Sequence, residues 1–71
     1  MNTIAIIKSA QSVFNKYNRE TAAQNAEQLA AHIESNFAQY VSKFGTDDIF
    51  DLAELAAIEA VKVIKGIDSS L

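Results

Sequence analysis

The chain has no cysteine, no proline and no tryptophan, with one histidine and two glycines among its 71 residues. Without cysteine it can form neither a disulfide nor a thiolate metal site. One histidine, His32, leaves a structural zinc ion short of ligands. The two glycines, Gly45 and Gly66, stand 21 residues apart, so no glycine-rich phosphate loop can form. Long apolar runs are missing too. The opening run IAII is four residues, short of the about seven that a secretory leader needs, so no leader is expected. No stretch nears the about 18 uncharged apolar residues of a membrane span. These absences lead us to expect a cytoplasmic protein with no cofactor and no metal.

What is present points to helix. Twelve alanines and almost nothing that interrupts a helix favour that conformation along the whole chain. In the first segment Thr3, Ile6, Ile7, Ala10, Val13, Phe14 and Tyr17 recur at steps of three and four, the period of one helix face. The residues NRET then interrupt. Asn18 is suited to end one helix in the left-handed conformation, and Asn18 or Thr21 to cap the next. In the second segment Ala22, Ala26, Leu29, Ile33, Phe37, Tyr40 and Phe44 form a seam about 120° wide. Ala30 and Val41 widen it, and Gly45 is placed to stop it. The third segment starts at Thr46 as the expected N-cap, has Asp47, Asp48 and Asp51 on the positive end of its dipole, and closes with Lys62, Lys65 and Gly66. The tail IDSSL is expected to fray. The spacing therefore predicts an all-α fold, a single domain over 1–71, built as a three-helix antiparallel bundle with helices about 3–17, 20–44 and 47–65.

The third helix is wider in apolar residues than one neighbour requires. Ile49, Phe50, Leu52, Ala53, Ala56, Ala57, Ala60, Val61, Val63 and Ile64 fill about half its circumference. That width suits a helix wedged against both others, with Ala53, Ala57 and Ala60 allowing close approach. Ile58 remains unaccounted for, in the middle of the polar stripe, and Leu55 lies beside it. A chain this short buries only about 60% of its unfolded surface. With disulfides and metals excluded, association with another chain is the remaining way to stabilise it. Leu55, Ile58 and the aliphatic stem of Lys62, ringed by Asp51, Glu54 and Glu59, are accordingly the candidate partner-binding residues.

Charge narrows the partner. The net charge of −3 is uneven: residues 1–19 carry Lys8, Lys16 and Arg19 and no acid, while residues 20–71 hold nine acids against three lysines. The basic opening segment is expected to lie against the acidic remainder. The alternative is a basic amphipathic helix on a membrane surface, with Ile4 and Ile7 opposing Lys8 and Lys16. An acidic majority disfavours direct binding to nucleic acid. The edge Asp47, Asp48, Asp51 and Glu54 could imitate phosphates, although capping charge explains those acids more simply.

No catalytic arrangement stands out. His32 has Glu34 and Ser35 nearby, but lies on the polar side of its helix with no oxyanion-hole turn. The stretch TDDIFD lacks the Asp-x-Asp-x-Asp-Gly pattern of a calcium loop. The nine residues AVKVIKGID resemble the C-terminal helix of type III secretion needle subunits, short helical hairpins that polymerise. That family's proline-flanked turn is missing here and no residue role is carried over. The reading is of a small helical protein–protein interaction module that binds itself and another protein, the profile of small phage- or plasmid-type regulators, inhibitors and adaptors. A purely structural self-assembling subunit is the alternative.

Overall fold

The computed structural model describes the backbone of residues 2–70 and the side chains of residues 2–67. The described residues form four helices and no strand: α1 (Thr3–Tyr17), α2 (Ala22–Ser35), α3 (Phe37–Phe44) and α4 (Ile49–Ser70). The fold is all-α as expected, with one helix more than the spacing predicted. The extra helix arises at Asn36, where the backbone turns to φ −131° and ψ 36°. Both the backbone N–H and the side-chain Nδ2 of Asn36 donate to the carbonyl of His32, the latter at 3.1 Å. A side chain that hydrogen-bonds its own turn offers the backbone an alternative to continuing the helix. The apolar period is kept across the break, so the spacing alone could not reveal it.

The other boundaries follow from local capping. Asn2 accepts from the amide of Ala5 at 3.1 Å and starts α1. Asn18 ends α1 in an extended, not left-handed, conformation, and its Oδ1 accepts from the amide of Glu20. Thr21 occupies the capping position of α2 without a side-chain capping bond. Gly45 ends α3 at φ +72°, the left-handed geometry that glycine reaches without a Cβ penalty. The N-cap of α4 is Asp48 and not Thr46: Asp48 Oδ1 accepts from the amides of Phe50 and Asp51, at 2.9 and 3.1 Å. Thr46 Oγ1 instead accepts from the amide of Asp48. Gly66 does not close α4, because it lacks a positive φ and the helix runs on through Ser70. The end of the tail, Leu71, lies outside the described residues.

The core places α1, not the last helix, at the centre. Along α1, Ile6, Ala10 and Phe14 are buried between α2 and α4, whereas α2 and α4 meet over only a short stretch. One buried cluster joins Ile6 to Ala30, Ile33, Ala53 and Ala56; the next joins Ala10 and Phe14 to Ala22, Ala26 and Ala57. These levels make α2 antiparallel to α1 and α4 parallel to it, an up-down-up arrangement. Of the eleven buried apolar residues, only Ile6, Phe14, Ile33 and Leu52 are larger than alanine. The helices therefore approach closely while burying little side chain, and each large core residue carries a big share of the stability.

The basic opening segment lies between α2 and α4, in the acidic remainder, but its lysines form no ion pair with another described residue. Lys8 and Lys16 are exposed on its outer side, because Ile6, Ala10 and Phe14 turn the opposite face into the core. Among the described residues the ion pair that forms is Lys43 with Glu59, between α3 and α4. No helix is long and apolar enough to cross a membrane among the described residues.

Candidate functional site

The α4 helix keeps its small residues inside and its large ones outside. Of its nine large apolar residues only Leu52 is fully buried; Phe50, Leu55, Ile58, Val63 and Ile67 are exposed. Their locations differ in kind. Val63 and Ile67 continue the core-facing stripe towards the C-terminal end of α4, Val63 in a groove shared with Leu29 of α2. Leu55 and Ile58, 39% and 38% exposed, belong to the opposite side of the helix. Asp51, Glu54 and Lys62, all exposed, share that side at steps of three and four. All five residues singled out from the sequence thus fall on one outward stripe, apolar at its middle, acidic at its start and basic at its end.

The packing extends this polarity to the whole molecule. Since α1 and α4 run parallel and α2 antiparallel, Glu34, Asp47, Asp48, Asp51 and Glu54 gather at one end of the bundle. Lys16, Arg19, Lys62 and Lys65 gather at the other together with Glu20, and there Lys65 Nζ lies 5.9 Å from the centre of the Tyr17 ring. At the acidic end the Thr3 hydroxyl donates to the Glu34 carboxylate, tying α1 to the end of α2. Asp51 and Lys62 make no ion pair with another described residue.

A second feature was not visible in the sequence. Because the chain turns at Asn36, α3 lies beside α4 and a groove of about 360 Å³ opens between α2, α3 and α4. Leu29, Ala56, Ala60 and Val63 line its apolar part and the Lys43–Glu59 pair borders it. Tyr40 and Phe44 form one wall, their rings stacked at 6.1 Å. The signal that could have suggested it is the Ser35–Asn36 pair, two poor helix formers in the middle of an otherwise regular stripe.

His32 and Ser35 are both exposed, and Glu34 is engaged by Thr3. Among the described residues no three His, Asp or Glu side chains gather as a metal site would require. No protein-family model, curated protein or solved structure matches the chain.

Proposed function

We propose that this protein is a non-catalytic interaction module of the cytoplasm that acts by stoichiometric binding through the outward face of α4, as a homo-oligomer able to engage another protein. One observation carries the reading: α4 holds alanines in the core and leaves Leu55 and Ile58 partly exposed between charged ends. Covering those side chains lowers the free energy in proportion to the apolar area removed from water. A domain whose buried residues are mostly alanine has much to gain from that cover. The acidic end disfavours nucleic acid as the partner, since Asp47, Asp48, Asp51 and Glu54 would face phosphates. A purely structural subunit would use the same face and differ only in having no second partner. The membrane alternative is the weaker reading, because Ile7 packs partly against the core and Ile4 is the large apolar side chain of α1 left exposed among the described residues.

Ile58→Asp tests the reading. In sedimentation equilibrium over a range from about 1 to several hundred micromolar, the natural chain is expected to increase in mass and the variant to stay monomeric. A monomeric natural chain at every concentration, or an unchanged mass for the variant, refutes it. Because position 58 is outside the core, the variant is expected to keep its helical circular dichroism.

A further inference from the structure

We propose that the chain received by this face is a second copy of the same chain, laid antiparallel, so that Leu55 of one protomer packs on Ile58 of its partner and Asp51 on the partner's Lys62. The inference rests on α4's outward face being a contact surface, and adds its occupant and orientation.

Along that face Asp51, Leu55, Ile58 and Lys62 follow at steps of four, three and four, and Lys65 three further on. This is the spacing of a seam between two packed helices. Pairing positions 55 and 58 across a two-fold axis fixes the other layers. Positions 51 and 62 are equally far from the midpoint of 55 and 58, so each Asp51 meets a lysine at position 62, twice by symmetry. The two central layers are then apolar and the flanking two are opposite in charge. A parallel pair would do the reverse, setting Asp51 on Asp51 and Lys62 on Lys62, and like charges brought together disfavour that orientation. Glu54 meets an acid in either orientation, level with the partner's Glu59 in the antiparallel pair, and does not choose between them. A foreign helix would need this charge order supplied to it; a second copy turned end for end already has it. Within their own chain, Asp51 and Lys62 remain unpaired among the described residues.

The absence of native cysteine makes a clean test possible. Chains carrying Asp51→Cys and chains carrying Lys62→Cys are mixed and oxidised. The expected product is a disulfide joining position 51 of one chain to position 62 of the other. Two copies of position 51 lie about 16 Å apart along the antiparallel seam at about 1.5 Å per residue, beyond the about 7 Å reach of a disulfide. A product dominated by 51–51 or 62–62 links overturns the orientation while leaving self-association intact. A chain that is monomeric at all concentrations overturns the interaction face as well. As a second measurement, Asp51→Lys and Lys62→Asp are each expected to weaken the dimer roughly tenfold. Combining them in one chain is expected to restore it, and failure of the combination to recover overturns the pairing.

Discussion

Ile33 and Ile58 offer the same side chain in two environments, and truncating each to alanine separates core from contact surface. Ile33 is fully buried in a cluster whose other buried members are Ile6, Ala30, Ala53 and Ala56, with partly buried side chains such as Leu29 and Phe37 packed against it. Ile33→Ala removes three carbons, a transfer loss of about 2.4 kcal/mol at about 0.8 kcal/mol each. Three of the four buried companions are alanines and cannot reach into the space, so a cavity penalty adds to that loss. We expect about 3–4 kcal/mol in total, within the range of about 2–5 for such changes. A chain of this length has a total stability of about 4–11 kcal/mol at about 0.05–0.15 per residue. The melting temperature should therefore fall by about 12–30 °C, at about 4–8 °C per kcal/mol for a domain of this size. Ile58→Ala deletes the same atoms from a side chain that is 38% exposed. In dilute solution it should cost about 1 kcal/mol or less. Its cost should grow with protein concentration if position 58 is covered in an oligomer, because association stabilises only the folded state. Urea melts followed by circular dichroism at several concentrations read both quantities. A loss under about 1 kcal/mol for Ile33→Ala would refute this account of the core, and a concentration-independent effect at Ile58 would refute the account of the face.

The two glycines should respond with opposite sign. Gly66 continues a helix and a Cβ there meets nothing within 4 Å, so Gly66→Ala should stabilise by up to about 1 kcal/mol. Gly45 also has open space, but sits at φ +72°, so Gly45→Ala should destabilise by about 1 kcal/mol, measured by the same urea melts. Stabilisation at position 45, or destabilisation at 66, would contradict the backbone described for them. Asp48→Ala removes the acceptor for two α4 amides and should cost about 1 kcal/mol, whereas Thr46→Ala, with one bond outside the helix, should cost less; the order of the two midpoints checks which residue caps.

Much of the fold was legible because a helix face repeats every 3.6 residues and this chain respects that period throughout. The span of α1 and the stop at Gly45 followed from periodicity and glycine. The break at Asn36 did not, since Phe37, Tyr40 and Phe44 keep the phase of Ala22, Ala26 and Ile33 across it; the poor helix formers Ser35 and Asn36 are its one sequence signal, and the side-chain bond to His32 marks the turn. Gly66 misled for a related reason, as a glycine ends a helix only where its φ is positive. The width of the apolar stripe on α4 implied a helix wedged between the others. Instead α1 takes that place, with Ile6, Ala10 and Phe14 reaching both neighbours, and the surplus on α4 is left outside as Phe50 and Val63. The outward stripe was readable because Leu55 and Ile58 violate the local pattern, and a violated pattern is visible without knowing the packing. The groove needed the turn, so it needed the structure.

Magnitudes explain why orientation matters more than area at such a face. A large apolar side chain contributes about 1.5–3 kcal/mol when fully covered, and Leu55 and Ile58 have roughly 40% of their surface left to bury. Four such side chains in a symmetric pair then supply about 2–5 kcal/mol, while association costs about 4–15 kcal/mol in lost freedom. Apolar contact at the two central layers therefore does not suffice by itself, and what surrounds it decides whether two chains meet. In the parallel arrangement the flanking layers add repulsion to a contact already near balance. In the antiparallel arrangement Asp51 and Lys62 add attraction at both ends, and the aliphatic stem of Lys62 extends the cover over Leu55 and Ile58. A contact so close to balance forms weakly and reversibly, which leaves the same face free to exchange its own copy for another protein.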